Sequence, residues 1–372
     1  MRKETYNGIT LQYPDAIGFA FNPCLVVTRL SGTSGTVKSM SITLSDEEGR
    51  EVSETRDGFG SYCFADVREY VQDFFDTNEF GELDYTLSAQ KTKLGKKIHF
   101  QVSVRTISGT SIGRSFDVFY IWGALKAGGQ EVYNAFRTMT WFKGFPFTFG
   151  VYADSASAVL LSRDGVASEA VNLTEQGVWN VRISNTDAKR FIMVSDCSGT
   201  LTEATFDKTF DLTFRLSGGG IFTQKVRINV IDGISEGIYL RWIDRHGFYQ
   251  YYLFRQGNES RKVQNEGEFL RNNLLAYDMS YGFVGGNGRQ QMKSREDTIP
   301  ICAPLVDDET FESLFDLTTS PIVDRYMGED ENGAPRWLAV NIQAGTYVKD
   351  EKAKLQDFVC NVVMPEMQIQ KL

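Results

Sequence analysis

Apolar and polar residues alternate along much of the chain. In one segment four apolar residues alternate with polar ones, which puts them on one face of a half-buried strand: Ile98, Phe100, Val102 and Val104. The same period of two recurs at Met40–Leu44, Phe210–Leu216, Val226–Val230 and Leu338–Ile342. Turns such as Asp46–Gly49 and Asn332–Gly333 separate these runs at intervals typical of hairpins. The pattern therefore predicts antiparallel sheets.

Helical periodicity is confined to two short segments. The first begins after Asp66, the expected N-cap, and its apolar stripe comprises Val67, Tyr70, Val71, Phe74 and Phe75. The second follows Asp307, with Phe311, Leu314 and Phe315 on one face and Pro321 beyond its end. We therefore predict an all-β protein with two short helices.

Composition supports the same fold class, because the aromatic content is 13% and the chain holds 34 Gly residues. Gly-rich polar stretches near residues 126–129 and 232–237 interrupt the strand pattern. We expect two or three antiparallel β-sandwich-like domains. The predicted boundaries give an N-terminal β domain at 1–127 with one short helix, a middle β-sandwich domain at 128–235, and a C-terminal β domain at 236–372 with the other helix.

Charge and histidine content limit the candidate partners. The net charge of −9 disfavours a nucleic-acid partner held by a global basic field. Only 2 His residues, His99 and His246, are present, and neither has Cys or His nearby at ligand spacing. We therefore expect no metal centre, and the chain shows no cofactor motif.

The five cysteines are odd in number and show no Cys-x-x-Cys pair. They are Cys24, Cys63, Cys197, Cys302 and Cys360. This spread is typical of reduced thiols rather than of a disulfide framework. No apolar run resembles a signal segment or a membrane span, so we expect a product made in the cytosol.

One segment, Gly109–Gly113, matches the Gly-x-Ser-x-Gly pattern of a nucleophile elbow around Ser111. An elbow needs a helix after the serine, but Arg114–Trp122 has the pattern of a strand. We therefore interpret the motif as a hairpin loop and predict no catalytic residue. A β-rich glycan hydrolase stays open as a third class, since the sequence does not locate its acid pair.

The segment Trp141–Phe149 carries five aromatic residues. Phe145, Phe147 and Phe149 would share one face of a strand, and Pro146 favours an edge position. Two interpretations remain: a core edge strand, which we favour, and an exposed platform on which sugar rings stack.

Three segments of the chain resemble tail or baseplate structural proteins of phages and prophages of Bacteroides-like bacteria. They are Trp141–Phe149, Gly237–Phe254 and Leu305–Val323. The resemblance implies a non-enzymatic virion subunit of a tail, baseplate or connector, made and assembled in the host bacterial cytoplasm. Its partners would be copies of itself and other virion proteins. The competing hypothesis is a carbohydrate-binding or adhesive β-sandwich module.

The segment Ile238–Phe254 has the pattern of a hairpin with a four-residue turn at Asp244–Gly247. Such a turn would pair Ile243 with Phe248 and so decide which side chains share a face. One face, the expected domain core, collects Ile238, Leu240, Trp242, Tyr249, Tyr251 and Leu253. The other collects Tyr239, Arg241, Ile243, Phe248, Gln250, Tyr252 and Phe254.

This second face of the hairpin mixes aromatic side chains with one Arg and one Gln. It is too apolar to be left in water, yet its polar pair would be costly in a dry core. Tyr, Phe and Arg are enriched at protein contacts. We therefore predict that the second face meets a neighbouring domain or another subunit.

Overall fold

The computed structural model describes the chain except residues 31–35, 82, 125–136, 164–165, 168–170, 183–209, 217–225, 232–235, 266, 270–276, 279–281, 284–288, 291 and 366–372. The chain forms two compact units. Unit 1 comprises Met1–Asp232 with Ile243–Tyr251, and unit 2 comprises Gly233–Trp242 with Tyr252–Leu372. The predicted boundary at 127/128 lies outside the described residues, so the division into three domains stays a prediction.

Ten strands make up the N-terminal part of unit 1. They are β1 (Arg2–Tyr6), β2 (Ile9–Tyr13), β3 (Ile17–Phe19), β4 (Leu25–Leu30), β5 (Val37–Asp46), β6 (Glu51–Asp57), β7 (Tyr62–Asp66), β8 (Ala89–Lys91), β9 (Gly95–Thr106) and β10 (Ser111–Ile121). Between β7 and β8 lie helix α1 (Arg68–Asp73) and a 3-10 helix (Thr77–Gly81).

Two sheets of these strands pack face to face as a sandwich. Their strand orders are β1-β2-β4-β7 and β3-β10-β9-β5-β6. Tyr13 on the first sheet stacks on Phe116 on the second with ring centroids 4.3 Å apart, and Phe116 stacks on Phe100. The alternating apolar residues of β5 and β9 are buried, as their period of two predicts.

The rest of unit 1 contains two further sheets. Their strands are β11 (Arg137–Phe142), β12 (Thr148–Ala153), β13 (Ser157–Arg163), β14 (Val166–Ala167), β15 (Val171–Leu173), β16 (Gly177–Arg182), β17 (Phe210–Leu216) and β18 (Val226–Ile231). One sheet has the order β12-β16-β8, and the other has the order β11-β18-β17-β13-β14 with β15 also on β13. The β11–β18 and β3–β10 pairs are parallel, whereas the neighbouring pairings are antiparallel.

Unit 2 takes most of its structure from the C-terminal strands. They are β19 (Ile238–Ile243), β20 (Tyr249–Gln256), β21 (Ser260–Asn265), β22 (Glu268–Phe269), β23 (Tyr277–Asp278), β24 (Gly282–Phe283), β25 (Arg289–Gln290), β26 (Lys293–Val306), β27 (Val323–Glu329), β28 (Pro335–Ile342) and β29 (Gln356–Val363). Helix α2 (Asp308–Thr319) follows β26.

The main sheet of unit 2 closes on itself. Its order is β20-β19-β27-β28-β29-β26-β21, and β26 also pairs with β20 through Arg255 opposite Cys302. The closed ring consists of six strands: β19, β20, β26, β27, β28 and β29. Closure removes the free edges of these six strands. The enclosed core includes Trp242, Phe254 and Phe358, together with Leu314 of α2.

The all-β fold class with two short helices is confirmed. Asp307 caps α2 as predicted, accepting a hydrogen bond from the Thr310 N–H at 2.8 Å. The predicted cap of α1 is wrong by one residue, because the N-cap is Val67. The Asp66 carboxylate instead accepts from the N–H groups of Cys24 and Arg68.

The single strand predicted at Trp141–Phe149 is wrong. β11 ends at Phe142 and β12 begins at Thr148, and Gly144 between them has φ 83°. The sugar-platform alternative for this segment is also wrong, because Trp141, Phe147 and Phe149 are buried. These aromatic rings belong to the core, as the favoured interpretation held.

Three hairpins turn through the same Asp-x-x-Gly sequence: Asp46–Arg50, Asp244–Phe248 and Asp330–Ala334. In each, the Asp N–H donates to the carbonyl of the fifth residue, and the Gly N–H donates to the Asp carbonyl. The Asp carboxylate accepts the N–H groups two and four residues further on. The glycines have φ of 84°, 75° and 77°, so each is an extra, bulged residue in a three-residue loop.

Candidate functional site

The predicted register of the Ile238–Phe254 hairpin is wrong by one residue. Asp244 N–H donates to the Phe248 carbonyl at 2.8 Å, so Phe248 pairs with Asp244 rather than with Ile243. The bulged Gly247 takes up the extra residue. A shift of one residue exchanges the faces of the returning strand, and Phe254 therefore joins Trp242 in the core cluster.

The seven residues predicted to form an interface are covered by this chain. Six of them, namely Tyr239, Arg241, Ile243, Phe248, Gln250 and Phe254, are buried, and Tyr252 is half-buried. Burial raises the pKa of Tyr252 to about 12, and the Asp307 carboxylate contributes to the shift. The assignment of this face to a domain or subunit interface stays a prediction.

The two polar members of that face have specific partners. Arg241 Nε donates to Oδ2 of Asp324 at 2.8 Å, and its guanidinium lies 4.4 Å from the Trp337 ring centroid. Gln250 Nε2 donates to Oδ2 of Asp244 at 2.8 Å. Paired in this way, both groups avoid most of the cost of burial.

Ser111 lies at the start of β10, in the hairpin predicted from its context. Thr106 N–H donates to the Thr110 carbonyl, and Gly109 in the loop has φ 88°. The serine begins a strand of eleven residues and is not followed by a helix. His99 is exposed on β9, and its ring bonds to the Asp117 carboxylate at 2.7 Å. Lys97 pairs with the same carboxylate, so this is an ordinary surface ion pair.

Four of the five cysteines lie in described residues, and all four are free thiols: Cys24, Cys63, Cys302 and Cys360. Cys197 lies outside the described residues. Cys24 Sγ and the Tyr120 hydroxyl are 2.8 Å apart, and burial raises the pKa of the Cys24 thiol to about 12. This buried pair stabilises the sandwich core and is too poorly ionised for nucleophilic chemistry.

Within the described ranges, no group of three or more His, Cys, Asp and Glu side chains is placed to hold a metal ion. No helix among the described residues is long and apolar enough to cross a membrane.

Three aromatic side chains stand exposed in a row at one edge of the N-terminal sandwich. Phe59, Tyr62 and Phe64 are 67%, 45% and 52% exposed. The Tyr62 and Phe64 rings are 6.4 Å apart and within 11° of parallel, and Phe59 is 6.3 Å from Tyr62. Large aromatic rings are rarely left in water together, so this aromatic row is a candidate binding site.

Local sequence explains why these rings face outward. β7 alternates exposed Tyr62 and Phe64 with buried Cys63 and Ala65, so the small residues occupy the core face. Phe59 joins them because a bridge pairs it with Tyr62. Sequence reasoning missed this site, because the alternation of aromatic with small residues at 62–65 marks two faces but does not say which one is buried.

The sheet register places polar side chains beside the aromatic row. On the same outer face, Tyr62 lies opposite Arg29 of β4, and Arg29 lies opposite Thr10 of β2. One row further along, Phe64 lies opposite Val27, which lies opposite Gln12. The site therefore combines flat apolar rings with hydrogen-bonding groups, of which Arg29 is exposed and Thr10 and Gln12 are half-buried.

A second exposed feature belongs to unit 2. All six residues of β21 are exposed, and β21 pairs with Lys293–Thr298 of β26. Among the described residues, the pairing of β26 with β29 begins at Thr298 and the Met364 N–H donates to the Asp297 carbonyl, so the β21–β26 ribbon extends past the closed ring from Glu296 to Lys293. A cleft of about 400 Å³ beside it is lined by Lys262, Gln264, Ser294, Arg295, Glu296, Asn341, Val363, Met364 and Pro365.

Comparisons with known proteins assign neither a family nor a function. No protein-family model matches the chain, and no curated protein matches it. Among solved structures, the chain is similar to the crystal structure of the periplasmic chaperone SfaE, at 11% sequence identity over 60% of this chain and 100% of that chain. The TM-score is 0.22, and this likeness shows neither the fold nor the function of the chain.

Proposed function

We propose that the protein is a non-enzymatic structural subunit of a phage particle, in a tail, baseplate or connector. It acts by contacts with copies of itself and with other particle proteins, and it is made and assembled in the host bacterial cytoplasm. The proposal is supported by the sequence resemblance and by one structural observation, the exposed β21–β26 ribbon.

The ribbon supports the proposal because of its stability. Two-stranded ribbons are marginal in water unless they pack against another surface. Here all six residues of β21 are exposed. Among them is Val263, which lies opposite Arg295 and is 59% exposed. A neighbouring subunit that covers Val263 would stabilise the ribbon and pair with the side of β21 that no described strand occupies.

Ion pairs lie along the ribbon. Arg261 Nε bonds to Glu259 at 2.8 Å, and Arg295 Nε bonds to Asp297 at 2.6 Å. Charged side chains along an edge also oppose indiscriminate strand pairing. A partner therefore has to match these charges, which makes the contact selective.

Mass measurement of the purified full chain with negative-stain imaging tests the proposal. We expect discrete rings or oligomers for the wild type. Val263→Asp should leave a folded monomer, because a carboxylate would be buried at the contact. Val348→Asp is the matched control, since Val348 is 80% exposed in the same unit, and it should assemble normally.

A wild-type chain that stays monomeric at high concentration, and that joins no particle when its phage or prophage is induced, would contradict the proposal. Normal assembly of the Val263→Asp variant would show that the ribbon is not part of the contact between subunits. The competing class, a carbohydrate-binding or adhesive module, is favoured by a different observation, the aromatic row.

A further inference from the structure

We propose that the aromatic row of Phe59, Tyr62 and Phe64 binds an oligosaccharide. The inference does not rest on the proposed assembly role, because the row lies on the N-terminal sandwich and the β21–β26 ribbon belongs to unit 2. A particle subunit and a free-standing module could each carry such a site.

The rings supply the apolar half of the recognition. A sugar ring has a face of C–H bonds that packs against the face of an aromatic ring. Tyr62 and Phe64 present nearly parallel rings at a spacing of 6.4 Å, and both are about half exposed. Since the strand fixes residues two apart on one side, the rings are organised before the ligand arrives.

The neighbouring side chains supply the polar half. Arg29, directly opposite Tyr62, is exposed, and no other described residue forms an ion pair with its guanidinium. Thr10 and Gln12 extend the same face across β2, and Lys3 lies opposite Gln12 on β1. Hydroxyl, amide and cationic groups around flat rings match the hydroxyl or carboxylate groups at the rim of a sugar.

A protein partner fits this surface less well. The core of a protein interface is sealed from water by surrounding contacts. Here Arg29 lies beside Tyr62 and Val27 lies beside Phe64, while Thr10, Gln12 and Lys3 lie on the strands beyond. A second copy of the chain would have to desolvate Arg29, whose guanidinium forms no ion pair with a described residue, whereas a sugar hydrogen-bonds to it.

The charges on this face also favour one class of sugar. Lys3 and Arg29 place two cations on this outer face, while the carboxylate on the same side of β7, that of Asp66, already accepts the N–H groups of Cys24 and Arg68. An oligosaccharide that contains a carboxylated sugar could stack on the rings and, at the same time, bond to Arg29 through its carboxylate. Acidic and neutral glycans form separate arms of the test.

The experiment presents the full chain to an array of neutral and acidic oligosaccharides, then measures the best glycan by calorimetry. We expect binding that is about tenfold weaker in Tyr62→Ala and in Phe64→Ala. Arg29→Gln should weaken the binding of acidic glycans more than the binding of neutral glycans. Tyr6→Ala is the matched control, because Tyr6 is 55% exposed at the other edge of this sheet and should leave affinity unchanged.

Thermal melting confirms that each variant is folded, which is expected because the replaced rings are exposed. Binding to no glycan, or binding that Tyr62→Ala and Phe64→Ala leave intact, would overturn the proposal. A loss of self-association in these two variants without any glycan binding would assign the row to a contact between copies and would also overturn it. Neither result depends on whether the β21–β26 ribbon assembles.

Discussion

Arg241 and Asp324 form a buried ion pair across neighbouring strands of the unit 2 sheet. The Arg241 side chain is 3% exposed and the Asp324 side chain 13%, and their nearest charged atoms are 2.8 Å apart. The strand register places the two residues directly opposite each other. Trp337 adds a ring face to the guanidinium. The pair therefore connects β19, β27 and β28 through one cation.

Removing one member of this pair should be costly. Arg241→Met leaves the Asp324 carboxylate buried without its cation, and we expect a loss of about 3–5 kcal/mol in the free energy of unfolding. The double variant Arg241→Met with Asp324→Leu should recover most of this loss, because no charge remains buried. Urea denaturation of the two single variants and the double variant measures the coupling. Additive losses would show that the two charges act independently.

The bulged glycines give a matched pair for testing turn packing. Gly247→Ala and Gly333→Ala both force an alanine into positive φ, which costs about 1–2 kcal/mol. A Cβ at Gly247 would lie 2.5 Å from the Ile121 side chain and 2.7 Å from the Trp122 carbonyl oxygen, whereas a Cβ at Gly333 meets nothing within 4 Å. Gly247→Ala should therefore be the more destabilising by about 1–3 kcal/mol in chemical denaturation. Equal losses would mean that the turn relaxes freely.

Stability should fall in acid because of Asp46. Burial raises the pKa of this carboxyl, but the N–H of Arg50 and the side chains of Arg50 and Lys96 outweigh it, so the pKa is lowered overall. A lowered native pKa stabilises the fold above the unfolded value of about 3.9, and the stabilisation is lost as the pH falls through that value towards the native pKa. The two cations also bond to the Phe74 carbonyl near the end of α1.

Comparison of the wild type with Asp46→Asn isolates this contribution. The difference in free energy of unfolding should be large at pH 7 and should shrink as the pH approaches 3. Glu47→Gln, at the exposed neighbouring position of the same turn, is the control and should give a small difference at both pH values. An Asp46→Asn difference that does not change with pH would contradict the prediction.

The described thiols should differ in reactivity. Burial raises the pKa of both Cys24 and Cys360 to about 12 and also raises the pKa of Cys63 and Cys302, but Cys302 alone of these four described thiols is partly exposed. With iodoacetamide at pH 8, we expect Cys302 to be modified first and the three buried thiols only on unfolding. Peptide mapping by mass spectrometry reads the order, with urea-unfolded protein as the reference for equal access. Equal rates for Cys24 and Cys302 in the native protein would show that the core opens readily.

The strands and helix α2 could be predicted because their signals are local. Period-two alternation at Met40–Leu44 and Ile98–Val104 and the cap at Asp307 reflect burial of one face and satisfaction of one backbone donor. The break within Trp141–Phe149 does not follow from the aromatic pattern, because Gly144 and Pro146 decide it. Gly and Pro are the residue types that most strongly indicate a turn.

The hairpin register and the aromatic row needed finer physical reasoning. Asp244 and Gly247 specify a three-residue loop with a bulge, and that chemistry decides the pairing more strongly than the apolar pattern does. On β7, residue type alone would place the aromatic side chains inside, yet Cys63 and Ala65 occupy the core positions. Which phase of an alternation is buried depends on the space the opposite sheet leaves, and one strand's sequence does not contain that information.

The closed ring of unit 2 has a consequence for the order in which the chain can fold during synthesis. β29, the last strand of the ring in chain order, lies between β28 and β26, and it contributes Phe358, Cys360 and Val362 to the core. Until residue 363 has left the ribosome, the two neighbouring strands lack their shared partner and the core stays open to water. Unit 2 is therefore completed after the N-terminal sandwich, whose strands β1–β7, β9 and β10 have all emerged by residue 121.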